Sequence, residues 1–172
     1  MQRSLVRHPQ SPVGPIDNID VTLEQRGARW SVTYRACGAI EAVIVPDSAS
    51  APKVTDDLWR NTCFEAFMRA DDADYTEFNL SPSGHWAAYR FADYRKAMMP
   101  AAIDPPDIAT RIDASTLVLR ALLPLQGILG LSAVIEANDS SKSYWALAHP
   151  PGAPDFHHRD CFALTLPPRT RA

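Results

Sequence analysis

The chain has 172 residues, a formal net charge of −3, 46% hydrophobic residues and 22% charged residues. This length suits one domain, and the composition is typical of a globular protein rather than a disordered one. The basic residues are not grouped in blocks, which argues against a nucleic-acid-binding protein, because such proteins gain affinity by neutralising phosphates. The sequence has no signal-peptide core and no apolar run long enough to cross a membrane, so we expect a cytoplasmic protein without membrane contact.

Short strands are predicted along the whole chain, because fifteen prolines oppose long helices and apolar residues often alternate with period two. Ile19, Val21 and Leu23 would share one face of the first strand. The remaining predicted strands lie at 28–36, 39–46, within 57–95, at 108–114 and 115–124 as a hairpin, and at 131–139, 143–150 and 161–166. A polar loop is predicted at 46–56, an irregular loop at 98–107, and short helical turns near 93–99 and 124–130.

Ten or eleven short strands at near-regular spacing predict an all-β fold, either a sandwich or a barrel. We expect one domain over 1–172, with loose ends at 1–16 and 167–172. The odd number of cysteines, without a C-x-x-C motif, predicts buried reduced thiols rather than disulfides or a zinc site.

The segment "DLWRNTCFEAFMRADDADYTEFNLSPSGHWAAYRFADYR", residues 57–95, predicts three strands that pair as a meander. Because side chains alternate between faces, one face carries core residues such as Phe64, Phe78 and Leu80. The opposite face gathers polar and aromatic side chains, namely Trp59, Asn61, Glu65, Glu77 and Asn79, and in some registers Arg90. The turn "SPSG" between the last two strands places Gly84 where a positive φ is needed.

This mixture of side chains suits a saccharide. Aromatic rings stack on the apolar C–H face of a sugar, and carboxylates, amides and arginine form hydrogen bonds to adjacent hydroxyl groups. A solvated sheet face stabilised by cross-strand pairs explains the same pattern, so both interpretations stay open at this point.

The same segment resembles the DOMON-like domains, the superfamily that includes the family 9 carbohydrate-binding modules. The resemblance rests on Trp59, on Glu65 in a short strand, on Tyr75 with Phe78, and on Pro82 with Gly84, and it extends over roughly residues 15–166. It implies an antiparallel β-sandwich with a ligand site on one sheet face or at its edge. It also implies that Trp59 and Glu65 contact a sugar together with Arg90, and that Asn138 and Trp145 form a second wall.

The sequence therefore predicts a non-catalytic module that binds a saccharide or a similar polyhydroxylated small molecule, without a cofactor. The predicted ligand-binding residues are Trp59, Glu65, Glu77, Asn79, Arg90, Asn138 and Trp145. The oligomeric state is left open. Alternatives are a protein-interaction module and a haem- or other cofactor-binding DOMON domain.

A haem site would pair one methionine with one histidine, from Met68, Met98 or Met99 and from His85, His149, His157 or His158. Two other patterns are weaker. The segment "PDFHHRDC" holds potential metal ligands, and Asp71, Asp72 and Asp74 could bind calcium, but both patterns read more simply as turns. Glu65 and Glu77 have the chemistry of a glycosidase pair, which needs a more exact geometry than sugar binding does.

Overall fold

The computed structural model describes residues 1–70 and 74–167. Within these ranges the chain forms three short 3-10 helices, at Ile40–Ala42, Leu58–Arg60 and Arg159–Cys161, and contains no α-helix. Twelve strands make up the rest of the regular structure: β1 Gln2–Arg7, β2 Ile16–Arg26, β3 Arg29–Gly38, β4 Cys63–Arg69, β5 Tyr75–Leu80, β6 Trp86–Phe91, β7 Met99–Pro100, β8 Asp107–Ile112, β9 Thr116–Leu123, β10 Ile128–Glu136, β11 Lys142–Ala146 and β12 Phe162–Thr165.

The strands form two antiparallel sheets. The first sheet has the order β1-β2-β3-β9-β8, and the second has the order β7-β6-β5-β4-β10-β11-β1, with β12 beside β10. Strand β1 belongs to both sheets, because Gln2–Leu5 pairs with β2 whereas Val6 and Arg7 pair with β11. The predicted antiparallel β-sandwich is confirmed. The amino-terminal segment differs from the expectation of a loose end, since β1 is paired on both sides.

The main core lies between the two sheets, on the faces that the alternation predicted. Ile19, Val21 and Leu23 of β2 are buried there against Phe64 of β4 and Phe78 of β5. Trp30, Val32 and Tyr34 of β3 and the alternate leucines of β9 complete this layer. Burial of these apolar side chains is the main stabilising contribution to a sandwich of this kind.

A second apolar cluster covers part of the outer face of the second sheet, the face that points away from the main core. It contains Phe67, Tyr75, Phe91, Val134, Ala146, Phe156 and Phe162. The chain before β12 supplies Phe156 to this cluster, so a loop packs against the sheet from outside. Strands β4 and β5 are therefore buried on both faces, and their outward-facing residues Phe67 and Tyr75 belong to this second cluster.

Two local predictions are wrong. The strand expected at 39–46 is replaced by the 3-10 helix Ile40–Ala42 and by a single bridge from Val43 to Ala137. The helical turns expected near 93–99 and 124–130 are replaced by irregular chain, by β7 and by the start of β10. The first of these segments cannot be a right-handed helix, because Arg95 and Ala97 have φ values of 52° and 50°.

The predicted turn between β5 and β6 is present, and Gly84 has a φ of 90° as expected. All three cysteines are free, with Cys63 and Cys161 buried and Cys37 partly buried. In the described ranges no helix is long and apolar enough to cross a membrane. Asp71 and Asp72, two of the three aspartates considered for calcium, lie outside the described residues, as do residues 168–172 of the carboxy-terminal end.

The hydroxyl of Tyr34 ties the first sheet to the second. It is fully buried and donates a 2.6 Å hydrogen bond to the backbone carbonyl of Glu65. We expect Tyr34→Phe to lower the free energy of unfolding by about 1–2 kcal/mol, because a buried bond is lost while the packing stays. Urea denaturation would measure this. Tyr94→Phe, which removes a hydroxyl bonded to Asp155 at the surface, should cost clearly less, and equal losses in the two variants would contradict the assignment.

Candidate functional site

A cleft of about 930 Å³ opens on the outer face of the second sheet. Strands β4, β5, β6 and β10 provide its floor, and the loops after β6 and before β12 and the chain around Leu58–Arg60 provide its walls. Its volume lies in the range usual for small-molecule sites. The lining residues are Asp56, Asp57, Trp59, Glu65, Glu77, Tyr89, Phe91, Arg95, Met98, Pro100, Val134, Tyr144, Pro154, Phe156 and His157.

Two buried carboxylates lie at the floor of the cleft. Glu65 pairs with Asn79 across the strands, and Glu77 is its diagonal neighbour on β5. Glu65 Oε2 accepts a 3.1 Å hydrogen bond from Ser132 Oγ, and Glu77 Oε1 accepts a 2.7 Å bond from Asn79 Nδ2. These bonds engage one oxygen of each carboxylate, and both residues line the cleft.

A polar wall stands beside the carboxylates. His157 Nδ1 lies 2.7 Å from the Tyr75 hydroxyl, and His157 Nε2 lies 3.8 Å from Glu77 Oε2. Arg95 donates a 2.8 Å bond to Asp155, and Asp155 also accepts hydrogen bonds from the Tyr94 hydroxyl and the His157 backbone amide. These contacts fasten the loop after β6 to the loop before β12.

An aromatic wall stands opposite. Trp59 is 48% exposed and lies in the 3-10 helix Leu58–Arg60, which starts at Asp57 with a φ of 61°. The Arg60 guanidinium stacks on its ring, 5.2 Å from the ring centroid. The Lys142 ammonium donates to the Arg60 backbone carbonyl, and the Tyr89 hydroxyl donates a 2.5 Å bond to Asp56. Both contacts hold this segment against the sheet.

Burial changes the acid–base behaviour of the floor. Desolvation raises the pKa of Glu77 to about 6, against the opposing effects of Asn79 and Arg95. Desolvation also raises the pKa of Glu65 well above its ordinary value, and the nearby Glu77 charge raises it further. The two carboxylates thus share a site in which holding both negative charges is unfavourable.

The histidine beside them is shifted in the opposite direction. Burial, with a smaller effect from the Arg95 charge, lowers the pKa of His157 to about 4. His157 is therefore neutral at pH 7 and does not act as a counter-ion for Glu77. Its short contact to Tyr75 is a hydrogen bond between neutral groups.

The structure brings four of the seven predicted ligand-binding residues together. Trp59, Glu65 and Glu77 line the cleft. Asn79 is buried beneath them and fixes Glu77 through its amide. Their position on one sheet face agrees with the predicted alternation, and their contact with a ligand stays a prediction.

Arg90 lies elsewhere. It pairs with Thr76 rather than with a residue of the Glu77 face, and it forms a 2.6 Å ion pair with Asp74 at the surface. The turn after β5 explains the difference: it runs over the five residues Ser81–His85, closed by a bond from the Ser81 amide to the His85 carbonyl. A four-residue turn would have placed Arg90 opposite Tyr75, on the same face as Glu77, because a one-residue slip exchanges the two faces of a strand.

Trp145 and Asn138 lie elsewhere as well. Trp145 pairs with Ala133, whose side chain points into the main core, so the indole is buried there and donates to Ser143. Asn138 follows β10 and donates a 2.9 Å bond to the Glu41 backbone carbonyl. In the register found, Tyr144 takes the cleft position next to Trp145.

Several lining residues escaped the sequence interpretation. Tyr89 pairs directly with Glu77. The sequence would have predicted this pairing if the turn before β6 had been assigned five residues. Arg95, Phe156 and His157 lie in loops that no periodic pattern covers. The segment "PDFHHRDC" was considered as a source of potential metal ligands and interpreted as a turn. In the structure it contributes Pro154, Phe156 and His157 to the cleft.

The haem alternative gains little from this geometry. Met98 and His157 line the same cleft, but His157 would have to give up its contact with Tyr75 or its place beside Glu77 to bind iron. Met68 packs against the main core. Across residues 1–70 and 74–167, no three histidine, cysteine or acidic side chains are grouped as a metal site requires.

The fold and the site thus define an antiparallel β-sandwich with a polar and aromatic cleft on one outer sheet face. No family model and no curated protein matches the sequence. Among solved structures, the chain is similar to a "putative carbohydrate-binding protein" from Bacteroides uniformis, with a TM-score of 0.67, 15% identity, and coverage of 94% of this chain and 83% of that one. It is also similar to a family 9 carbohydrate-binding module from Caldicellulosiruptor kristjanssonii in complex with cellotriose, with a TM-score of 0.43, 12% identity, and coverage of 78% and 67%. At such identities the first likeness shows the fold.

The opposite pKa shifts of Glu77 and His157 predict opposite effects of pH on stability. Glu77, whose pKa is raised to about 6, contributes stability below its ordinary 4.5, and this contribution is lost as the pH rises through 6. His157, whose pKa is lowered to about 4, contributes stability above its ordinary 6.5, and this contribution is lost as the pH falls towards 4. Removal of either side chain should therefore leave a pH dependence of stability that reflects the other one.

Relative to the wild type, as the pH falls from about 7 to about 5, we expect Glu77→Gln to lose roughly 1 kcal/mol of stability and His157→Asn to gain roughly 2 kcal/mol. Urea denaturation at the two pH values measures this. Glu41→Gln, at an exposed position outside the cleft, should follow the wild type. Parallel pH dependences in all four proteins would show that neither group is shifted.

Proposed function

We propose that the cleft binds a saccharide or a similar polyhydroxylated small molecule and that the protein does not transform it. The observation that supports this best is one juxtaposition: the exposed Trp59 ring shares a cleft with the half-engaged carboxylates of Glu65 and Glu77. A sugar offers an apolar face to the ring and adjacent hydroxyl groups to the carboxylates.

Trp59 is suited to stacking because its side chain stays half-exposed beside the Arg60 guanidinium and its position is held. Of the four tryptophans, Trp30, Trp86 and Trp145 are buried, whereas Trp59 is exposed in the cleft wall. The contacts of Asp56 with Tyr89 and of Arg60 with Lys142 flank it on both sides along the chain. A ring held in place loses little conformational entropy when a ligand stacks on it.

The polar floor supplies the orientation-dependent contacts. The free oxygens of Glu65 and Glu77 accept from hydroxyl groups, and the Arg95 guanidinium donates to them. Asn79 and Ser132 are themselves buried, so they hold the carboxylate rotamers before the ligand arrives. Such a preorganised set gives specificity for hydroxyl positions.

Binding through the two carboxylates needs a less exact geometry than hydrolysis does. A glycosidase places its acid and its second carboxylate on either side of the scissile bond. Glu65 and Glu77 rise from neighbouring strands of the same sheet face, as diagonal neighbours. They would approach a sugar from one side, which suits two hydrogen bonds to neighbouring hydroxyl groups.

The likeness in fold to the Bacteroides uniformis protein, which is described as carbohydrate-binding, supports the same class of ligand. The DOMON-like resemblance of the segment around Trp59 and Glu65 points the same way. We infer a place for this chain among carbohydrate-binding modules of the sandwich type, with Trp59, Glu65, Glu77 and Asn79 as its ligand-binding set.

Acrylamide quenching of tryptophan fluorescence tests this proposal, because Trp59 is the tryptophan that the quencher reaches most easily. A bound saccharide should protect Trp59 from quenching. Trp59→Ala should abolish this signal and weaken binding, measured by calorimetry, by roughly tenfold or more.

Val54→Ala, at an exposed position of the preceding loop outside the cleft lining, is the control and should bind like the wild type. Incubation with oligosaccharides should release no shorter product. An unchanged quenching profile across a broad glycan panel, in folded protein, would refute the proposal, and product release that Glu65→Gln abolishes would refute its non-catalytic part.

A further inference from the structure

We propose that the saccharide bound in this cleft carries a protonated amine, which sits between Glu65 and Glu77 at the cleft floor. This inference rests on the proposed function and names the class of saccharide. It follows from the balance of charge in the cleft, from the unmet hydrogen-bonding capacity of the floor and from the aromatic walls.

Acidic side chains outnumber basic ones in the cleft. Arg95 is the single lysine or arginine among the lining residues, and its guanidinium is already paired with Asp155 at 2.8 Å. Against it stand four acidic side chains, Asp56, Asp57, Glu65 and Glu77. Asp57 forms a 3.3 Å ion pair with Arg60, so among the described residues three of the four have no arginine or lysine in a salt bridge. An anionic sugar would meet repulsion here, whereas a cationic one would be attracted.

Within residues 1–70 and 74–167, neither floor carboxylate forms a salt bridge with a lysine or arginine, although the Arg95 charge favours the ionised form of both. Glu65 and Glu77 are only 3% and 6% exposed. Their hydrogen-bond donors, Ser132 and Asn79, are both neutral. Buried charges are normally paired, and an unpaired one is costly. A ligand ammonium would supply the missing charge.

The hydrogen-bond count also favours an amine. An ammonium has three donors, and charge-assisted bonds to carboxylates are among the strongest in proteins. Glu65 and Glu77 each retain an oxygen outside the bonds described above, and His157 Nε2 lies 3.8 Å from Glu77 Oε2. A hydroxyl group could donate to only one of these acceptors, whereas an ammonium could reach both carboxylates at once.

The walls suit a cation as well as a sugar ring. Aromatic faces attract cations through the ring quadrupole, most strongly when water is excluded. The side chains of Tyr89, Phe91, Tyr144 and Phe156 line the cleft together with Trp59. One wall can thus stack on the C–H face of the sugar while others surround its charged group.

Binding of the amine should depend on the ionisation of the floor. Below the pKa of Glu77, about 6, the carboxylate is neutral and the attraction is lost, although the amine itself stays charged. The titratable or charged groups that face Glu77 from the surrounding elements are Cys63 and Glu65 of β4, Tyr75 of β5, Tyr89 of β6, Arg95 and His157.

The experiment compares four disaccharides of the same linkage by calorimetry at about pH 7: cellobiose, the corresponding glucosamine disaccharide, its N-acetylated form and a disaccharide with a carboxylate. We expect the amine to bind roughly tenfold more tightly than cellobiose, because it adds a charge-assisted contact, and the carboxylate to bind most weakly. This preference should largely disappear at about pH 5. Ethanolamine, an amine without a sugar ring, should bind far more weakly than the glucosamine disaccharide.

Glu77→Gln should weaken binding of the amine much more than binding of cellobiose and so remove the preference, whereas Glu41→Gln should leave both affinities unchanged. Equal affinity of the wild type for cellobiose and the amine would overturn this inference and leave the proposed function intact. Binding of none of the four would count against the proposed function itself. Ethanolamine binding as tight as that of the sugar amine would show a general amine site, and the inference about a saccharide would fail.

Discussion

The register of the β4–β5–β6 meander is the constraint on which the cleft depends. Pairing of Glu65 with Asn79, and of Glu77 with Tyr89, brings the acidic, amide and phenol groups to one face. The five-residue turn from Ser81 to His85 sets the second of these pairings. A one-residue change there would move Tyr89 to the core face and Ala88 to the cleft, because side chains alternate strictly along a strand. Core packing of Phe64, Phe78 and Leu80 resists such a slip, so the sandwich core and the cleft are fixed by the same register.

The second sheet is covered on both sides, so the polar groups on the cleft floor are largely shielded from solvent. The main core lies on one side of the sheet, and on the other an apolar cluster around Phe67, Tyr75 and Phe162 borders the cleft. Carboxylates in such a place lose hydration, which raises the pKa values of Glu65 and Glu77 and lowers that of His157. The same desolvation that makes these groups costly in the free protein strengthens each polar contact that a ligand makes with them.

The loops contribute as much to the cleft as the sheet does. Arg95, in a left-handed backbone conformation, reaches across to Asp155, and Tyr94 joins the same carboxylate. On the other side, Asp57 takes a left-handed conformation at the start of the 3-10 helix that presents Trp59. Strain of this kind persists where surrounding contacts determine the backbone, and it is often found at binding sites. The wall residues are therefore positioned by contacts between segments that are distant in sequence.

Much of the architecture follows from the sequence alone. Period-two alternation, proline content and turn residues are local signals, so they were sufficient for the all-β class, for the core faces of β2 to β5 and for placing Glu65, Glu77 and Asn79 on one face. The choice of a sandwich over a barrel came from the resemblance to the DOMON-like domains. Local sequence signals could not predict the positions of Arg90, Trp145 and Asn138. They depend on the length of one turn, on the pairing of β10 with β11 and on a contact 97 residues away in the chain. The recruitment of Arg95, Phe156 and His157 was likewise decided by tertiary structure, because irregular loops carry no periodic signal and their side chains are placed by the sheet on which they pack.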